Sequence, residues 1–133
     1  RQWRQEVTIA YWCVLAAGLL PYVAIGIAKW DRTYLSHNTD PRAWEATLTG
    51  MQARAHAAHL NGFEAFPLFA AGVVIASICK APGGTVDTLA ITFVAARIAY
   101  LGAYLANTDK LRSLVWMVGI ACNVALFVVA ART

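Results

Sequence analysis

Asn61 and Glu64 stand three residues apart inside the apolar stretch HLNGFEAFPLF, residues 59–69. Arg97, Tyr100 and Tyr104 follow one another at spacings of three and four in ARIAYLGAY, residues 96–104. A carboxamide, a carboxylate, a guanidinium and two phenols are a set of donors, acceptors and opposite charges that could bind a polar ligand. Set on helices at 100° per residue, Arg54, Ala57, Asn61, Glu64 and Leu68 share one stripe, and Arg97, Tyr100, Tyr104 and Asn107 share another. Two polar stripes flanked by apolar residues need each other. An unpaired charge at the centre of a bilayer costs at least about 2.5 to 3.5 kcal/mol on insertion scales. Counted from the tight APGG turn, Glu64 lies about 24 Å down one helix and Arg97 about 20 Å down the next, so the two are expected to pair at matched depth. The bland alternative is an ion pair that only fixes helix register. The two tyrosines and the asparagine favour a polar pocket, and intramembrane ionisable groups mark functional sites by default.

The elements that must position these groups are membrane helices. Of 133 residues, 59% are hydrophobic and 14% charged, against roughly 25% charged in soluble domains. Residues 7–28 and 114–131 carry no charge, and each reaches the roughly 18–20 residues that cross a bilayer. Two further runs carry Glu64 and Arg97, so four spans are expected, at 7–28, 60–79, 86–106 and 112–131, in one all-α, integral-membrane four-helix domain covering 1–133. The first run is too long for a signal-peptide core and lacks a small-residue cleavage site, so it reads as a span.

The second helix is expected to start early, with Asp40 as N-cap, Pro41 in the first turn and Glu45 close behind. From 41 to 79 it would run about 58 Å, well beyond the bilayer core, with a kink at Pro67. Gly62, Ala65, Ala71 and Gly72 would let neighbouring helices approach closely. Basic residues flanking the first and third connections are Lys29, Arg32, Arg42, Arg54, Lys110 and Arg112, against Arg1, Arg4, Lys80 and Arg132 on the other face. Six against four places the first and third connections in the cytoplasm. The net charge of +4 reads as membrane-flanking charge, with no nucleic-acid partner. Cys13, Cys79 and Cys122 share no short spacing and read as small apolar side chains. His56 and His59 lack a third ligand at a matching spacing, so no metal is expected. A polar stripe that would otherwise face lipid implies a homo-oligomer.

Taken together, AHLNGFEAFPLF and ARIAYLGAY resemble the MAPEG superfamily, the membrane-associated proteins in eicosanoid and glutathione metabolism. Members typically carry Arg-x-x-x-Asn-x-x-Glu running into an aromatic-Pro step, then an arginine followed seven residues later by a tyrosine. Asn61, Glu64 and Phe66-Pro67 match the first pattern, and Arg97 with Tyr104 the second. The resemblance covers nearly the whole chain in span count and loop length. It implies a homotrimer of four-helix bundles with glutathione bound between subunits at the cytoplasmic end, and a lipophilic substrate arriving from the surrounding lipid. In that setting Arg112 would hold the glutathione thiolate, with Tyr104 or Tyr100 as a hydrogen-bond donor. Asn61, Glu64, Arg97 and Tyr100 would position the tripeptide, Glu64 through the ligand's amino group.

One position departs from the pattern. The motif arginine, which in relatives helps hold a glutathione carboxylate, would fall where this chain has Ala57. Arg54, one turn earlier on the same stripe, is the nearest replacement; His56 faces away. The resemblance implies a glutathione-dependent transferase or peroxidase for hydrophobic electrophiles or lipid hydroperoxides. The competing class is a non-catalytic scaffold or accessory subunit of a larger membrane complex, which Ala57 supports. A transporter is weaker, because the chain has no inverted repeat.

Overall fold

The computed structural model describes residues 7–29 and 40–133, and every regular element among them is an α-helix. Arg1, Arg4 and Arg32, three of the flanking charges, lie outside the described residues. Four helices are long and apolar enough to cross a membrane: α1 (Ile9–Ala28), α3 (Gly50–Ile78), α4 (Gly83–Leu105) and α5 (Asp109–Arg132). A short α2 (Pro41–Glu45) precedes α3. The chain is a multi-pass integral membrane protein with an all-helical four-span architecture, as composition and run lengths require.

The helix expected to run unbroken from 41 is two helices. Ala46 ends α2, Thr49 is extended (φ −135°, ψ 165°), and Gly50 has φ +59°. Only glycine enters that left-handed region without a Cβ penalty, so Gly50 permits the break. The Thr47 hydroxyl donates to the Trp44 carbonyl at 2.7 Å and closes the turn. The 29 residues of α3 rise about 43 Å, which still exceeds a bilayer core of about 30 Å. Asp40 does cap α2, accepting from the Ala43 N–H at 3.3 Å.

Contacts at the helix ends set the topology. The Asp87 carboxylate, in the early turns of α4, accepts from the Ala10 N–H at 3.0 Å, so α1 and α4 start on the same side. At the other side the Gln52 amide donates to the Ala28 carbonyl at 3.0 Å, and Arg54 Nε and Nη2 donate to the Leu105 carbonyl at 3.3 and 3.1 Å. These bonds satisfy carbonyls that α1 and α4 leave unpaired at their C-terminal ends. The four spans therefore run up, down, up and down.

The main hydrophobic core occupies the half of the bundle nearest the α3–α4 turn. Phe69 and Phe93 stack there with centroids 4.0 Å apart and planes 10° from parallel, among Val73, Ala76, Ala90, Cys122 and Leu126. Midway along α3, Gly62 meets α1: a Cβ at that position would lie 2.8 Å from Pro21 Cγ. A methyl group would force the two helices apart, so a glycine is required.

Candidate functional site

The second half of the bundle, toward the α1–α3 and α4–α5 connections, holds the polar residues. Arg97 leaves the middle of α4 and is 6% exposed. Its Nη2 donates to Asn61 Oδ1 on α3 at 2.8 Å, the short distance expected of a charge-assisted bond. One turn on, its guanidinium lies over the Tyr100 ring, Cζ 4.2 Å from the centroid. Tyr100 meets Tyr104 edge to face at 5.6 Å, and Arg112 in the first turns of α5 lies over Tyr104 at 4.6 Å. Arg97, Tyr100, Tyr104 and Arg112 thus form a row in which two aromatic faces, negative by their quadrupole, separate two cations.

Two members of the row, Tyr100 and Arg112, line an open groove of about 370 Å³ together with Asn61, Ser113, Trp116 and Met117. Toward α1, Arg97 and Tyr100 line a second, much smaller cavity of about 20 Å³, walled by Pro21, Ala24, Gly62 and Phe66. Tyr100 therefore lines both spaces, and between Tyr100 and Asn61 sits the buried Arg97 guanidinium. Its donors suit carboxylates and thiolates, and the phenols can donate to a developing negative charge.

Asn61, Arg97, Tyr100 and Tyr104 come together as the spacing led one to expect, and Arg112, which only the resemblance had brought in, joins the end of the row. Three other residues do not. Arg97 pairs with Asn61 instead of Glu64; Glu64 is exposed and makes no hydrogen bond or ion pair with the described residues. Three residues of helix turn the side chain about 60° from Asn61, enough to carry Glu64 out of the α3–α4 contact and onto the flank of the subunit. Arg54 spends two donors on the Leu105 carbonyl, so it ties α3 to the end of α4. Asn107 leaves the stripe altogether. It has φ 58°, and the Thr108 N–H bonds back to the Ala103 carbonyl at 2.9 Å, the left-handed cap that ends α4.

His59 bonds through Nδ1 to the Pro21 carbonyl at 2.8 Å. His56 Nδ1 lies 3.5 Å from a Glu45 carboxylate oxygen, close enough for an ion pair when the imidazole is protonated but too poorly aligned for a hydrogen bond. Among the described residues no group of three metal-ligating side chains assembles.

Sequence reasoning missed Ser113, Trp116 and Met117 as groove walls and Asn123 as a buried polar group. Asn123 is 0% exposed, and neither side-chain polar atom has a partner among the described residues. Its signal was there to read, since a carboxamide in the otherwise apolar run 114–131 is as conspicuous as a charge.

The model of the MAPEG family matches residues 9–132, which takes in all four spans and the whole groove. No curated protein matches the chain.

Proposed function

We propose that this chain, which belongs to the MAPEG family, is a membrane-embedded glutathione-dependent transferase or peroxidase acting on lipophilic electrophiles or lipid hydroperoxides. The observation that carries this reading is the row Arg97–Tyr100–Tyr104–Arg112 along a groove that Asn61 also lines. Two guanidiniums and an amide fit a ligand with two carboxylates and an acidic thiol. A thiol of pKa about 8.5 becomes a nucleophile at neutral pH when a cation holds its thiolate. Arg112, at the mouth of the groove, is the group for that role, with the Tyr104 hydroxyl as the nearby donor. Asn61 and Tyr100 meet the tripeptide with Arg97 positioning both from behind, and exposed Trp116 and Met117 offer an apolar surface to the second substrate.

The subunit reading is a homotrimer with α3 along the shared axis. Exposed Glu64 supports it, because this carboxylate on the flank of a membrane helix has no hydrogen bond or ion pair among the described residues and would find one in a neighbour or in the ligand's amino group. Native mass measurement in detergent tests it, and a monomer alone would overturn it.

A second reading, a non-catalytic scaffold or accessory subunit of a larger membrane complex, is favoured by two observations: position 57 is alanine, and Arg54 is engaged in capping α4. Calorimetric titration of the purified protein with glutathione, beside a thiol-free control ligand, separates the two. Binding that Arg112→Ala leaves intact while turnover falls supports the enzyme. No binding at millimolar glutathione by a well-folded oligomer supports the scaffold.

A further inference from the structure

Asn123 sits on α5 behind the groove, and its side chain faces a small cavity between α3, α4 and α5. The other walls are Ala65, Phe93, Arg97, Trp116 and Gly119, with Ile120 completing them. Arg97 is the only charged side chain among them, and Trp116 is shared with the open groove. Both Asn123 polar atoms are fully buried without a hydrogen-bond partner among the described residues. A carboxamide stranded in this way is costly, since it gives up its hydrogen bonds to water for nothing. The cavity has room for about one water molecule. Asn123 and Arg97 wall the same small space, so one molecule there has both side chains as neighbours.

We propose that Asn123 and Arg97 together bind one buried water within the membrane-spanning part of the bundle, and that Asn123 is thereby a positioning residue for Arg97. A buried water needs two to four polar partners. The Asn123 oxygen and amide nitrogen and the guanidinium supply three. The guanidinium is then held from two directions, by Asn61 at 2.8 Å and by the water. An anion is the poorer occupant because Asn123 Oδ1 would face it, and a cation is disfavoured by Arg97. The inference does not depend on glutathione being the ligand of the groove.

The test is a thermal-unfolding cycle on the full chain in lipid nanodiscs, with Asn123→Leu, Arg97→Met and the double variant, beside a lipidic-cubic-phase crystal structure in which waters are visible. The expected result is that Asn123→Leu lowers the unfolding midpoint in the wild-type background and lowers it less, or raises it, when Arg97 is already Met. Density for one water between the two side chains is expected as well. A midpoint that rises equally in both backgrounds would mean that Asn123 is dry, and would overturn the proposal. So would a cavity without density, or a midpoint that climbs with chloride at fixed ionic strength. Should Arg97→Met fail to fold, the crystal structure decides alone.

Discussion

The two halves of this bundle are built from the same four helices and differ in what fills the space between them. Toward the α3–α4 turn the filling is apolar and close: the Phe69–Phe93 stack at 4.0 Å, with Val73, Ala76 and Leu126 fully buried around it. Toward the connections on the other side, Asn61, Arg97, Tyr100, Tyr104 and Arg112 leave a groove on one side of α4 and a cavity on the other. Between hydrocarbon tails there is little hydrophobic drive to bring helices together, so association rests on shape and on polar bonds. The close half uses shape and sets the register of the helices. The polar half relies on that register to bring Asn61 to Arg97, and leaves Asn61, Tyr100 and Arg112 lining an open groove.

Truncation in the close half should have the largest effect. Phe93→Ala removes one partner of the stack and should destabilise the subunit by about 3 to 5 kcal/mol, read as a drop in thermal midpoint in detergent. A loss under about 1 kcal/mol would mean that the stack does not anchor the bundle.

Next comes the pairing of Arg97. Arg97→Gln should lose about 1.5 to 3 kcal/mol, the worth of a hydrogen bond to a charged group, whereas Glu64→Gln should leave the unfolding of the isolated subunit nearly unchanged. Equal losses from the two variants, with rescue in the double variant, would show that Glu64 and Arg97 meet after all. On the binding side the same magnitude is expected from Ala57→Arg. A guanidinium restored to the Asn61 stripe should tighten glutathione by about 1.5 to 3 kcal/mol, roughly ten- to a hundredfold, and titration calorimetry reads it directly.

Gly62→Ala tests the boundary between the halves. With its Cβ placed 2.8 Å from Pro21 Cγ, it should cost about 1 to 3 kcal/mol, and an unchanged midpoint would mean that α1 can move aside freely. The smallest effect is a gain. Lys80 ends α3 at φ 60°, a region where a side chain costs about 1 kcal/mol or more. Lys80→Gly should therefore raise stability by up to about 1 kcal/mol, with little change in glutathione binding because the site lies at the opposite end.

Several features were legible in the order of residues. Four apolar runs became four spans, and Asn61, Arg97 and Tyr100 could be placed in one neighbourhood from helical spacing alone. The errors have physical sources. Helical spacing says which residues share a stripe, but a stripe is broad, and Asn61 and Glu64 at its two edges turn out to face an interface and a surface. Asn107 has helical spacing from Tyr104, yet asparagine tolerates the left-handed backbone that stops a helix. The stretch TLTG, residues 47–50, carries a break that an N-cap at Asp40 had seemed to rule out.

What the sequence determined by itself is the membrane character, the number of spans and the residue types available for chemistry. Those depend on run length, charge and local periodicity, which each segment carries independently of the others. Which polar groups meet was decided only in the tertiary structure. The Arg97–Asn61 bond, the cation–aromatic row that ends at Arg112, the engagement of Arg54 at Leu105 and the burial of Asn123 all depend on the rotation and depth of one helix against another. Those are set by close contacts elsewhere, at Gly62 against Pro21 and Phe69 against Phe93, and no single segment contains the information for a contact between two.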